Sequence, residues 1–386
     1  MPEALTPGSS VDPSPDARRA ETSPPRVWVV TGYRAGERTQ ILGLADALGW
    51  PYEIKALGHR AWDWAPGLAR RVSVAGIDPA SRAELTPPWP HLVISAGMRN
   101  EPIVRWIKAR SGGRTKLVHL GRPWVHYSDL DLVITTPQYR LPEREDVLQN
   151  LGTLHRVNAG SLGAAAERWA PAFADLPRPR IGVVVGGHSG PYTLGPAAAA
   201  DLGRRAAERA RAAGGALLIT TSSRTPPGSI DALTGAADVP AYVYRYGVDA
   251  GDNPYLGILA AADELIVTSD SIAMLSEAVA AGKPLSIYDL GQGGDTRLTG
   301  ALYRFLMRYG HPRLTRDLSL FHDALIASGR AAWLGASPPP PEPPPLDDSP
   351  RAVRRIRQLL GLADPVVTPA KGPLGTVAPA LPQGNR

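Results

Sequence analysis

The sequence predicts an α/β protein of two doubly wound, parallel-sheet domains. Three observations predict it. Short β-branched and aliphatic runs alternate with amphipathic stretches of helical length. The runs end in glycine- and hydroxyl-containing loops, where an open α/β sheet carries its ligands. The chain has 386 residues and is 43% hydrophobic, enough for two cores.

The elements follow in order. Residues 1–25 are rich in Pro, Ser and charge and are expected to be a disordered tail. Val27–Thr31 reads as a strand, followed by a glycine turn and a helix over 37–48 closed by Gly49. Residues 52–57 read as a second strand, and 58–90, with several Pro and Trp, as irregular. A strand over 92–95, a helix over 102–110 and strands at 116–120 and 132–135 complete the first half.

The second half alternates more cleanly. Strands are expected at 181–185, 216–221, 241–244, 264–268 and 285–290, with helices over 196–213, 255–262 and 271–281. The Pro pair at 177 and 179 is the expected boundary, giving domains 26–177 and 178–335. Residues 336–350 hold eight Pro and read as an extended linker. Val353, Ile356, Leu359 and Leu360 then form one apolar stripe of an amphipathic helix, 351–362, with four Arg around it. Such a helix can dock on its own protein or lie on a membrane. A second disordered tail, 363–386, is expected after it.

Composition excludes several chemistries. There is no Cys, so there is no disulfide, thiolate metal site or cysteine nucleophile. No run of 18 apolar residues occurs, and residues 1–25 lack the apolar core of a signal peptide, so a cytoplasmic protein is expected. Net charge is +6, and residues 26–177 carry 19 basic against 14 acidic side chains. That half suits an anionic ligand or lipid surface, with the protein peripheral on the cytoplasmic membrane face. No basic run exceeds two residues, so nucleic acid is not an expected partner. Neither His-x-His nor His-Glu-x-x-His occurs, so no metal is expected. Asp129 and Asp131 have the spacing of a metal-binding acidic pair but stand at the start of a strand.

Five loops carry the chemistry. Thr31-Gly32-Tyr33-Arg34-Ala35-Gly36 opens a helix, whose N-terminus favours an anion. Gly186-Gly187-His188-Ser189-Gly190 offers backbone N–H groups suited to a diphosphate. It nearly reads as a hydrolase nucleophile elbow, but Pro191 stands where that pattern needs Gly. Thr221, Ser222, Ser223 and Arg224 form a hydroxyl-rich phosphate clamp. Asp270 and Ser271 stand where the helix after 268 needs a cap. Capping does not explain Glu277, two turns along an otherwise apolar helix, where a carboxylate could accept from ribose hydroxyls. Asn253 and Tyr255 lie on the last of these loops.

With those residues in view, the chain resembles the bacterial mitochondrial fission Elm-type family. The matching segments are 31–40, 95–102, 120–123, 135–142, 185–192, 220–227, 253–257 and 268–277. The resemblance implies a GT-B-like fold, two Rossmann-like domains with parallel sheets facing across a cleft. The first would hold the acceptor and the second a nucleotide-sugar donor. Gly186, Gly187, Ser189, Gly190 and Arg224 would meet the diphosphate. Asp270, Ser271 and Glu277 would read sugar or ribose, and Asn253 and Tyr255 would edge the base pocket. Gly32, Arg34, Gly36, Ser95, Gly97 and Arg99 fall on the acceptor side. The family's first loop more often reads Asp-Gly-Lys-Ala-Gly. Here Arg34 keeps the positive charge and the acid is missing, so Glu37 is the substitute base, with His188 as a second catalytic candidate.

The expected activity is a metal-independent glycosyltransferase with a nucleotide-diphosphate sugar as substrate and no cofactor. Its acceptor would be anionic, lipid-linked or a surface-glycan precursor. Two alternatives stand beside it: a nucleotide-sugar epimerase of the same fold, and a non-enzymatic scaffold acting at membranes.

Overall fold

A computed structural model describes residues 23–31, 35–61, 71–189, 192–292, 316–340 and 346–363, with isolated positions at 305, 306, 309, 310 and 344. The chain divides into two compact units. One comprises residues up to 135 together with 141–148, the other 136–140 and 149 onward. The two terminal tails expected from the sequence lie outside the described residues.

The first unit is a sheet of β1 (Val27–Thr31), β2 (Tyr52–Ala56), β3 (Leu92–Ala96), β4 (Lys116–Leu120), β5 (Leu132–Thr135) and β6 (Val147–Gln149). Their order is β2-β1-β3-β4-β5-β6, and the pairs among β1 to β5 are parallel. β1 and β3 are buried along their whole length, which is why they read as unbroken apolar runs rather than alternating ones. The chain runs from β1 out to β2, then crosses back to β3 on the other side of β1. The order therefore reverses between β1 and β3. A short helix, Pro79–Ala83, capped by Asp78, lies inside the stretch expected to be irregular.

The second unit repeats the plan. Its strands are β7 (Arg180–Val184), β8 (Ala216–Thr220), β9 (Ala241–Tyr244), β10 (Glu264–Thr268), β11 (Leu285–Tyr288) and β12 (Ala332–Trp333). The order is β12-β11-β10-β7-β8-β9, with every neighbouring pair parallel. Here the order reverses between β7 and β10. Helix Pro196–Ala212 lays an Ala-rich face, including Ala199, Leu202 and Ala206, on β7 and β8. Helix Ile272–Ala280 and helix Leu318–Ala327 bury Leu275, Phe321 and Leu325 in the second core.

The boundary expected near 177 moves upstream to 148/149. The reason is packing. Helix Ala159–Phe173 brings Trp169 against Gly257, and Phe173 edge-on to Tyr242 of β9 with ring centroids 5.0 Å apart. Its apolar face is thus part of the second core.

The basic helix expected at 351–362 spans Ser349–Leu359 and buries Ala352, Val353 and Ile356. Its start is tied to the beginning of the second unit. Asp348 accepts from the Gly152 N–H at 2.9 Å, Arg351 donates to the Gln149 carbonyl at 2.8 Å, and His155 Nε2 meets the Leu346 carbonyl at 3.2 Å.

Candidate functional site

β7, β8 and β10 are apolar and buried, so polar side chains gather where these strands end. At the β7/β10 reversal three loops are knotted around one carboxylate. Asp270, fully buried, accepts from the Gly187 N–H at 2.9 Å and from the Thr268 hydroxyl at 2.7 Å. Arg224 Nη2 lies 2.9 Å from Oδ2, the oxygen that also accepts the Gly187 N–H, and Arg224 Nη1 reaches the His188 carbonyl at 3.3 Å. Thr268 in turn accepts from the Gly186 N–H at 2.8 Å. Ser222 donates to the Gly186 carbonyl at 2.9 Å, and the Thr225 hydroxyl donates to the same oxygen. Burial pushes the Asp270 carboxyl upward, against the pull of Arg224 and its donors.

Both glycines are sterically required. A Cβ at Gly186 would run into the Asp270 carboxylate, and one at Gly187 into the Arg224 carbonyl. The structure thus brings together Gly186, Gly187, Ser222, Arg224 and Asp270, from segments up to 84 residues apart in the chain. It gives two of them a different task from the expected one. The N–H groups of Gly186 and Gly187 are taken by Thr268 and Asp270, and that of Ser189 by the Tyr192 carbonyl at 2.9 Å. A buried carboxylate must collect donors, and the adjacent loop supplies them. Asp270 therefore does not cap the following helix, and Ser271, at its N-cap, makes no side-chain cap bond.

The remaining residues of this unit spread around the knot. Thr221 Oγ1 accepts from the Tyr246 N–H at 2.9 Å, and Ser223 is exposed. His188 is exposed, and its Nδ1 accepts from the Leu194 N–H at 3.2 Å. That bond puts the proton of the neutral ring on Nε2. Gly190 lies outside the described residues. Tyr255 donates to Glu277 Oε2 at 2.6 Å, and Asn253 Oδ1 accepts from the Tyr255 N–H at 3.0 Å where that helix begins. Burial raises both the Glu277 carboxyl and the Tyr255 phenol.

In the first unit the β1/β3 reversal gathers the acceptor-side residues, of which Gly32 and Arg34 lie outside the described ones. Gly97 has φ +80° and faces the Glu37 carboxylate, since a Cβ there would stand 2.8 Å from Oε2. Arg99 is half-buried nearby in sequence, and Gly36 is exposed in the first turn of its helix. Ser95 is buried, its Oγ 3.2 Å from His119 Nδ1.

Sequence reasoning missed two residues. Glu101, fully buried, accepts from the Trp124 and Val125 N–H groups at 2.8 and 3.0 Å. His119 Nε2 is 3.7 Å away, and burial lowers the His119 pKa to about 4, so the ring is neutral at pH 7. Only its identity as an acid beside Pro102 marked Glu101 in the sequence, and that is ordinary for a first helical turn. The other is Arg316, whose Nη2 donates to Ser189 Oγ at 2.8 Å. No motif surrounds it.

Asp129 and Asp131 are turned to cations, Arg105 at 3.3 Å and Lys108 at 2.6 Å. Among the described residues no cluster of three or more His, Asp or Glu could hold a metal ion, and no helix is long and apolar enough to cross a membrane.

A family model described as "Mitochondrial fission ELM1" matches residues 35–360. The Arabidopsis thaliana protein named "Mitochondrial fission protein ELM1" is 28% identical over 249 residues, covering 57% of this chain and 57% of that protein. The chain thus spans little more than half the length of that relative. Solved structures similar to it include UDP-GlcNAc 2-epimerase from Methanocaldococcus jannaschii, with TM-score 0.45 and 11% identity over 87% of this chain and 99% of that one. MurG from Acinetobacter baumannii matches with TM-score 0.41 and 11% identity over 86% and 100%. The ADP-heptose LPS heptosyltransferase II of E. coli matches with 0.40 and 12% over 78% and 99%.

Proposed function

The chain belongs to the mitochondrial fission ELM1 family, and from that premise we propose a metal-independent glycosyltransferase. It would move a sugar from a nucleotide-diphosphate donor to an anionic or lipid-linked acceptor. One observation carries the reading: a braced polar knot at the β7/β10 reversal, with the half-buried Glu277–Tyr255 pair on the helices beside it. Ligands of open α/β sheets bind outside the carboxyl ends of the strands at such a reversal. The groups of the knot hold one another in place within the fold, which suits them to stabilise charge without large reorganisation.

In this reading the second unit holds the donor. Glu277 accepts from ribose hydroxyls, and Tyr255 holds the carboxylate in place. Arg224, half outside the protein, presents its remaining N–H groups to the diphosphate. The first unit holds the acceptor among Gly36, Ser95, Gly97 and Arg99, with Glu37 as base. The acceptor oxygen bonds to the anomeric carbon while the bond from that carbon to the diphosphate oxygen breaks. The electron pair leaves with the nucleoside diphosphate, and the hydroxyl proton passes to the base.

The test is thermal unfolding with UDP, GDP, ADP, TDP and CMP, each with and without magnesium. A ligand specific to the folded state stabilises by about 2.7 kcal/mol at 100 times its Kd. A selective, magnesium-independent shift is expected, and Arg224→Ala and Glu277→Ala should each reduce it. An unchanged shift in both variants would remove these residues from the site. Sugar turnover without any acceptor would turn the assignment to an epimerase.

The name of the plant relative favours a second reading, a non-enzymatic scaffold at an anionic membrane. Co-sedimentation with anionic but not neutral vesicles, together with no nucleotide shift, would establish it over the first. Helix Ser349–Leu359 is a poor anchor for that purpose, because Ala352, Val353 and Ile356 are already buried.

A further inference from the structure

The sequence points to Arg224 as the cation that meets a diphosphate. The structure shows that cation already engaged, with Asp270 on one nitrogen and the His188 carbonyl on another. Arg316 differs. Its guanidinium donates to Ser189 Oγ, and no carboxylate lies within 4 Å of it among the described residues. Its exposed guanidinium thus has no acidic partner among the described residues, where the glycine loop leaves β7.

Arg316 is also well placed to stay there. The next residue, Asp317, donates its N–H to the Gln138 carbonyl at 2.9 Å and caps helix Leu318–Ala327 through the Ser319 N–H at 3.1 Å. At the other end Ser189 is buried, 7% exposed, and its backbone closes a two-way bridge with Tyr192 at 2.9 and 3.2 Å. The chain is therefore anchored directly after Arg316, whose side chain is exposed, and at Ser189.

The same loop carries further donors. Ser189 Oγ accepts from Arg316, which leaves its own proton for another acceptor. The His188 N–H has no partner among the described residues, and its ring carries its proton on Nε2. A cation without an acidic partner among the described residues, the Ser189 hydroxyl and the donors of the adjacent His188 suit an anion with several oxygens.

We infer that Arg316, with Ser189 and His188, is the principal diphosphate-binding group of this protein, and that Arg224 chiefly holds Asp270 and the loop and adds only its remaining N–H groups. This deepens the donor assignment above and rests on it for the nucleotide part. The probes are inorganic diphosphate, which tests the anion site alone, and the nucleoside diphosphate giving the largest thermal shift, beside its parent nucleoside.

Titration calorimetry on the full chain should show inorganic diphosphate binding that weakens about tenfold or more in Arg316→Ala. Nucleoside affinity should stay unchanged. Arg316→Lys should recover most of the loss, and Ser189→Ala, which frees the guanidinium, should show an intermediate one. Equal diphosphate affinity in wild type and Arg316→Ala would overturn the inference while leaving the donor reading intact. Binding of no probe by the wild type would overturn both. A loss in Arg316→Ala that comes with a lower unfolding temperature without ligand, and that Lys does not recover, would overturn the inference and make the residue structural.

Discussion

Each unit buries one carboxylate beside its strand-order reversal, and the two are held differently. Glu101 in the first unit binds main-chain N–H groups of the loop after β4, next to a neutral histidine. Asp270 in the second unit binds one main-chain N–H, a hydroxyl and a half-exposed guanidinium. Main-chain donors cannot turn away to water when the acid is removed, whereas a side-chain cation can. The first carboxylate is thus fastened into the fold, and the second is fastened to a group with a surface of its own. A loop intended to meet a ligand is better built the second way.

The largest test of that contrast is a pair of truncations. Glu101→Ala leaves two buried N–H groups and a cavity and should destabilise the first unit by about 4 kcal/mol. Asp270→Ala should cost about 2 kcal/mol. That is below the usual range for breaking a buried pair, because Arg224 is 39% exposed and can rehydrate. Denaturant unfolding of the two variants gives the order, and the reverse order would end the comparison.

Acid separates the units next. The His119 pKa falls from 6.5 in an unfolded chain to about 4 in the fold. Between those values the unfolded chain binds a proton that the folded one does not. The first unit therefore loses stability as pH falls from 6.5 to 4, by about 3 kcal/mol in all. Glu277 acts in the opposite sense. Its carboxyl is raised by burial, so its contribution is complete below the ordinary glutamate range and is lost as pH rises through the folded value. Hydrogen exchange in β3 and β10 against pH should show opposite trends. His119→Asn should flatten the first and Glu277→Gln the second.

The smallest effect concerns the two glycine positions. Gly97→Ala forces a left-handed φ but presses only on the end of the flexible Glu37 side chain, so it should cost about 1 kcal/mol. Gly187→Ala presses on a main-chain carbonyl that cannot swing aside and should cost more. Equal melting temperatures for the two variants would show that the knot yields more readily than its hydrogen bonds suggest.

The strand alternation was legible because β1, β3, β7, β8 and β10 are buried apolar runs with polar loops after them. Two of the four edge strands were not. Val147–Gln149 and Ala332–Trp333 are short and half-buried, so nothing in their composition separates them from loop. The expected domain boundary followed a proline pair, while the fold followed Trp169 and Phe173, whose partners lie at 257 and 242. At the site, the sequence marked Gly186 by its glycine loop, Arg224 by the hydroxyls before it, Asp270 as a cap and Glu277 as an acid in an otherwise apolar helix. It did not reveal that Asp270 and the glycines answer one another, because that depends on β10 lying beside β7. Arg316 carried no local signal at all, and its meaning comes only from the hydroxyl it meets 127 residues upstream.

The clasp between residues 346–351 and 149–155 gives the second unit the connectivity of a closed band. These two segments, far apart in the chain, are fastened to each other through Asp348, Arg351 and His155. A chain cut anywhere before Leu346 loses the buckle as well as the helix, so shortening it is not a neutral way to ask what that helix does. A band can, however, be opened elsewhere. Joining 363 to 149 by a flexible linker and starting the unit at the exposed turn 247–251 should leave every strand neighbour in place.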